Sequence, residues 1–163
     1  MNRDGSRLYR AEVNCPEAIP KGMCMGDSGK VTEAINRCEV TIHLLQKGYM
    51  VSRPEADVDG VDFVVRTPAG KYLACQQKSR CIVQSEKYGG KGIWMIFPGK
   101  GKPLHRDWYL IEHDRLFTIQ KRKHGSAPDW KHKTKGEFWS ELVGKSLAEE
   151  LKGYRIYSAD TEE

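Results

Sequence analysis

Nowhere in the 163 residues is there a run of about 18 apolar residues, the length a membrane-spanning helix needs. The opening MNRDGSRLYRAEVNC also has no apolar core of the secretory type. No membrane partner is expected, and the cytoplasm is the expected compartment. Cysteine is sparse: Cys15, Cys24, Cys38, Cys75 and Cys81 are odd in number and none form a CxxC pair. That argues against a disulfide framework and against structural zinc, and for reduced thiols. His105, His113 and His132 are scattered without metal-ligand spacing, which argues for surface or locally bonded histidines rather than a His-based mechanism. GDSGK at 26–30 lacks the GxxxxGK[ST] spacing and has no strand before it, so it is not read as a phosphate loop. The chain has no internal repeat and no low-complexity tract.

What remains is a chain of ordinary domain length. With 39% hydrophobic and 30% charged residues it has enough apolar side chain for a core, and a domain of this size buries roughly two thirds of its unfolded surface. Residues 1–28 carry Gly5, Pro16, Pro20, Gly22 and Gly26 without periodicity and read as an arm or irregular segment; 29–163 read as one domain. The net charge of +5 is concentrated in KRKHGSAPDWKHKTK, residues 121–135, where six Lys or Arg face only Asp129. Lys121, Arg122, Lys123, Lys131, Lys133 and Lys135 are therefore expected to meet nucleic-acid phosphate, with Trp130 as a stacking face. On charge alone, a solvated loop explains the segment equally well.

Periodicity supplies the elements. From Lys30 to Lys47, Val31, Ala34, Ile35, Cys38, Ile42 and Leu45 fall at helical spacing and Gly48 is the stop. YMVSRP is a short strand, VDFVV and KYLACQQK form a hairpin around TPAG, and RCIVQSE extends or pairs with it. IWMIF is a strand of the kind buried at a sheet centre, WYLI is another, and EHDRLFTIQKR is a strand exit with a short helix. FWSELVGKSLAEELKGY reads as a helix through Phe138, Leu142, Leu147 and Leu151, with Ser140 as cap and Gly153 as stop. The fold class is α/β.

The hairpin holds the residues with chemistry. Asp62 and Gln76 face each other across it, and Gln76 and Lys78, two apart, share a face. An Asp carboxylate, an amide carbonyl and a main-chain carbonyl are the oxygen ligands that Mg²⁺ prefers. A lysine beside them can steady a water and offset phosphate charge. This set suits metal-assisted hydrolysis of a phosphodiester. Glu33 is the preferred helical carboxylate to complete the site; Glu39, between Cys38 and Val40, sits on the less apolar side of the helix.

The helix with Glu33, GYMVSRP, GVDFVV, the Gly turn and QQKSR resemble the PD-(D/E)xK phosphodiesterase superfamily over residues 29–80. The resemblance matches Asp62 to the second-strand acid, Gln76 to the (D/E) position, Lys78 to the lysine and Glu33 to the helical acid. Gln76 makes this a QxK form, as in Mrr-like restriction endonucleases; Holliday-junction resolvases share the fold. The resemblance implies a restriction-endonuclease-like α/β core, a mixed β-sheet flanked by helices. It also implies cleavage of DNA dependent on Mg²⁺ (or Mn²⁺), with a homodimer as one assembly it allows. The competing expectation is a non-catalytic nucleic-acid-binding module with a nuclease-like fold, for which the neutral Gln76 speaks.

Overall fold

The computed structural model describes residues 28–55, 60–131 and 136–157. Helix α1 (Ser28–Gln46) leads into β1 (Met50–Ser52), β2 (Phe63–Arg66), β3 (Tyr72–Gln77) and β4 (Cys81–Gln84). The one-turn helix α2 (Ser85–Tyr88), β5 (Ile93–Pro98), β6 (Trp108–Glu112) and α3 (His113–His124) follow. A 3-10 turn at Pro128–Lys131 precedes β7 (Phe138–Glu141), α4 (Lys145–Glu150), a second 3-10 turn at Lys152–Tyr154 and β8 (Arg155–Tyr157).

Six strands form a mixed sheet in the order β1-β2-β3-β5-β6-β8, with β3 and β5 parallel and the other neighbours antiparallel. Helix α1 packs against both edge strands, β1 and β8, so the sheet curls around it. This is the expected α/β architecture, a mixed sheet flanked by helices.

The hairpin forms where the turn chemistry puts it. Thr67 N–H donates to Lys71 O at 2.8 Å and Gly70 N–H to Thr67 O at 2.8 Å, with Gly70 at φ +84°. Phe63 and Val65 of β2 and Leu73 and Cys75 of β3 are buried in a layer with Ile96, Trp108, Leu110 and, from α1, Val40 and Leu44. The other face buries Met95, Phe97, Tyr109 and Ile111 against Leu116, Trp130 and Leu147. Strand β5 contributes to both layers, as its almost unbroken apolar run foretold.

Three sequence expectations are corrected. Helix α1 exists where expected, but its apolar stripe faces outward: Val31, Ile35, Ile42 and Leu45 are exposed, while Asn36, Glu39 and His43 are buried. The reason is tertiary. Arg106 Nε donates to Glu39 Oε1 at 3.1 Å, its Nη2 to Glu39 Oε2 and to Asn36 Oδ1 at 2.6 Å each, and Trp108 Nε1 to Glu39 Oε1 at 2.7 Å. His43 stacks on Tyr157 with ring centroids 3.7 Å apart. Second, RCIVQSE does not join the hairpin, because β4 pairs with β7 in a separate two-stranded ladder. Third, the segment from Phe138 is not one helix: that ladder holds Phe138–Glu141 as a strand, Leu142 is exposed and only Lys145–Glu150 is helical. Short apolar spacing fits either element, and pairing with a distant strand decided it. Of the expected arm, residues 1–27 lie outside the described residues and Ser28 opens α1.

Candidate active site

A cavity of about 490 Å³ opens between the first turns of α1, the open end of the β2–β3 hairpin and α2. Glu33, Asp62, Gln76 and Lys78 all line it. Asp62 precedes β2, yet its N–H donates to Cys75 O at 2.9 Å, which carries the ladder one residue further and sets Asp62 opposite Gln76. Its Oδ2 accepts from Gln77 N–H at 2.8 Å and from Gln76 Nε2. Gln76 Nε2 also donates to Gln77 O at 3.2 Å, and Tyr88 O–H donates to Gln76 Oε1 at 3.4 Å. Gln76 is thus held at both ends.

Lys78 is fixed by the sheet: its N–H donates to Ile96 O at 2.8 Å, continuing the parallel β3–β5 pairing. Its Nζ lies 5.9 Å from the centre of the Tyr88 ring, and Lys87 Nζ lies 5.2 Å from the same ring. Both ammonium groups gain from the aromatic face. Gly60 makes room for this arrangement. At φ +77°, a Cβ there would stand 3.0 Å from Gln76 Oε1 and 3.3 Å from Tyr88 Cε1.

Glu33 bonds Arg37 Nη2 through Oε1 at 2.5 Å on the exposed lip of the cavity. Arg37, Lys78 and Lys87 outnumber Asp62 and Glu33, so the lining carries a positive excess that suits a phosphate group. Arg37, Lys87, Gln77 and Tyr88 were not singled out from the sequence. Arg37 stands one turn after Glu33 and was within reach of helical spacing; Lys87 and Tyr88, in a short helix before GG, left no periodic signal.

Glu39, the less favoured helical acid, is buried in the closed cluster around Arg106 and not in the cavity. Burial pushes its carboxyl up, but hydrogen bonds from Arg106 and Trp108 and the Arg106 charge outweigh this and hold it below its ordinary value. Cys75, beside Gln76, is buried, and its thiol is pushed up to about 12, so it is a core residue and no thiolate. His113 is buried and accepts from Gln84 N–H at 3.1 Å through Nε2, so Nδ1 carries the proton shared with Asp114 at 3.0 Å. It is a locally bonded histidine, as expected.

The basic segment fares differently from its count of charges. Lys121 pairs with Glu137 at 3.0 Å, Arg122 pairs with Glu150, Lys123 Nζ lies 3.8 Å from Glu150, and His124 bonds Glu141 at 3.1 Å. Acids from β7, α4 and the loop before β7 fold onto the cations of α3. Trp130 corrects an expectation: it is 1% exposed, packs on Phe117 and Trp139 and donates Nε1–H to Glu137 at 3.0 Å, so it offers no face for stacking a base. Lys131 ends a 3-10 turn, and Lys133 and Lys135 lie outside the described residues.

Among the described residues no cluster of three or more His, Cys, Asp or Glu could hold a metal ion. The oxygen donors available for a hard cation are the Asp62 carboxylate, the Gln76 amide oxygen and the Gln77 carbonyl. At present the Gln76 amide nitrogen sits between Asp62 Oδ2 and Gln77 O. Rotating that amide by half a turn would bring three oxygens together, a set that repels itself without a cation among them. Gln77, also lining the cavity, has a buried Oε1 with no hydrogen-bond partner among the described residues. This donor set fits a cation that keeps several of its waters, such as Mg²⁺.

No protein-family profile and no curated protein matches the chain. A solved structure to which it is similar is that of a bacterial homing endonuclease, I-Ssp6803I, at 17% identity and a TM-score of 0.44, covering 77% of this chain and 86% of that one.

Proposed function

We propose that this protein is a divalent-metal-dependent endonuclease acting on DNA, a PD-(D/E)xK-type phosphodiesterase in its QxK form. The supporting observation is that Asp62, Gln76, Lys78 and Glu33 line one cavity with a cationic excess. In this reading the Asp62 carboxylate and the Gln76 amide oxygen hold Mg²⁺ or Mn²⁺, with the Gln77 carbonyl alongside. When bound, the metal lowers the pKa of a coordinated water and neutralises charge on the phosphate.

The chain's own groups do the rest. Lys78 orients the attacking water and offsets charge developing on the phosphate oxygens. Arg37 and Lys87 hold the non-bridging oxygens, Glu33 fixes Arg37, and Tyr88 sets the orientation of the Gln76 amide. Lys121, Arg122 and Lys123 reach flanking phosphates by exchanging their acid partners, joined by Lys131, Lys133 and Lys135.

The test is incubation of the purified protein with plasmid, single-stranded and branched DNA, with Mg²⁺, Mn²⁺ or EDTA. Metal-dependent cleavage that falls at least about 100-fold in Lys78→Ala is expected. Equal behaviour of wild type and Lys78→Ala on every substrate refutes the assignment. A second reading, a nucleic-acid-binding module that does not cleave, is favoured by the Gln76 amide nitrogen pointing at Asp62. Salt-sensitive DNA binding without hydrolysis in any metal selects it, and the slope against salt counts the phosphate contacts.

A further inference from the structure

The loop between β5 and β6, GKGKPLHR at 99–106, carries no acid and exposes Lys100, Lys102, Leu104 and His105. The topology puts it beside the cavity. Strand β5 runs parallel to β3 and Lys78 N–H donates to Ile96 O, so the chain leaves Pro98 at the end of the sheet that holds Gln76 and Lys78. At the far end of the loop, Arg106 Nη2 donates at 2.6 Å to Asn36 Oδ1, and Asn36 lines the cavity.

Several bonds fix the shape of this loop. Gly99 N–H donates to Asp107 O at 2.7 Å and His105 N–H to Lys102 O at 3.1 Å. Gly101 lets the turn close, since a Cβ there would stand 2.8 Å from His105 O. Leu104 donates its N–H to the buried Glu39 carboxylate that also accepts from Arg106 and Trp108. Leu104 stands at φ +66°, alone among the described non-glycine residues in having a positive φ, and is 56% exposed. That backbone is unfavourable for leucine, and a large apolar side chain left in water does nothing to offset it. Strain that the surrounding structure enforces is a mark of contact sites.

We propose that Leu104 is a wedge that enters the base stack of duplex DNA next to the cavity, while Lys100 and Lys102 hold phosphates beside the opened step. The wedge presupposes that the cavity takes nucleic acid, and it adds the form of the substrate: a duplex kinked near the scissile phosphate. The chemistry of the loop selects this partner. Aliphatic side chains inserted between base pairs, with cations nearby, unstack and kink duplexes. A single strand is gripped instead by stacking on aromatic side chains, and 99–106 has no Phe, Tyr or Trp. One leucine is too little apolar surface for a bilayer or a stable protein interface.

The test measures binding of the full chain, in EDTA to prevent cleavage, to a duplex of about 30 base pairs with a dye at each end, and to the same duplex with a central two-base mismatch. A mismatch makes a step easier to open, so wild type is expected to bind the mismatched duplex at least about 10-fold more tightly. Energy transfer between the dyes is expected to rise as the paired duplex bends. Leu104→Gly suits the left-handed backbone, so far-UV circular dichroism should match wild type, while the preference falls below about 2-fold and the duplex stays straight. Leu104→Met is expected to restore both. Lys100→Ala with Lys102→Ala should weaken binding to the two duplexes alike and lower the salt slope by about two.

A Leu104→Gly chain that keeps the preference and the bend overturns the wedge, and so does a wild type that binds neither duplex or leaves the paired one straight. If wild type still cleaves DNA with Mg²⁺ under those results, the nuclease assignment stands without the wedge. A duplex that wild type bends through Leu104 but cleaves in no metal upholds the wedge and removes the nuclease assignment.

Discussion

Two carboxylates, Glu39 on α1 and Asp62 just before β2, have surroundings that differ in kind. Glu39 is fully enclosed, receives hydrogen bonds from Arg106 and Trp108 and has its charge matched by one guanidinium. Asp62 borders an open cavity, bonds an uncharged amide, and has Lys78 and Lys87 among its neighbours in the lining. Gln77, whose N–H donates to Asp62, carries a buried Oε1 with no hydrogen-bond partner among the described residues. A closed, matched cluster fixes how elements pack and has nothing to offer a ligand. An open cluster with spare acceptors and cations can exchange its internal bonds for ligand bonds. The same residue type thus does structural work in one place and is the candidate for chemistry in the other.

The comparison is broken or sharpened by making the same change at both acids. Glu39→Gln leaves Arg106 buried without a counter-charge and is expected to destabilise the fold by about 3–5 kcal/mol in urea titrations, since removing one partner of a buried pair strands the other. Asp62→Asn keeps an acceptor for Gln77 N–H, so its loss of stability is expected to stay under about 1 kcal/mol, while metal-dependent cleavage falls at least about 100-fold. If Asp62→Asn unfolds the protein and Glu39→Gln does not, the roles assigned to the two clusters are reversed.

Acid should separate them next. The Glu39 carboxyl is held below its ordinary 4.5 when folded, so its stabilisation is complete above that value and is lost as pH falls through the lowered value. Melting temperature followed downward from neutral pH is expected to drop over this interval. Because Glu39→Gln removes the titrating group, that variant should show a shallower drop; a parallel curve would show that other groups dominate.

A smaller effect is expected at Gly60→Ala. Its positive φ costs an L-residue about 1–2 kcal/mol, and the added methyl group would press on Gln76 Oε1. Cleavage should suffer more than stability if the Gln76 orientation matters to the site. Smallest of all is Glu33→Gln, which breaks an exposed pair with Arg37 and should change stability by no more than about 0.5 kcal/mol. A larger loss would make Glu33 a structural residue.

The sequence carried a good part of this structure and of the site. The β2–β3 pairing was legible because alternation and a Pro-Gly turn are written in neighbouring residues, and because residues two apart on a strand share a face; from that alone Asp62, Gln76 and Lys78 were expected together. The existence of α1 and the central place of β5 were legible for the same reason. The inward face of α1 was not, because the partner that turns Glu39 inward is Arg106, 67 residues away. Nor was the environment of the basic segment: a count along 121–135 omits Glu137, Glu141 and Glu150, which only the fold brings to Lys121, Arg122, Lys123 and His124.

What the sequence determined by itself is therefore local: the existence of α1, the β2–β3 hairpin with its turn, and which side chains of that hairpin share a surface. The tertiary structure alone decided which face of a helix is inside, which acids meet the cations of α3 and whether Trp130 meets solvent. The physical reason is range. Steric turn preferences and side-chain periodicity act within a few residues, whereas burial and ion pairing are settled by groups that meet only after the chain has closed.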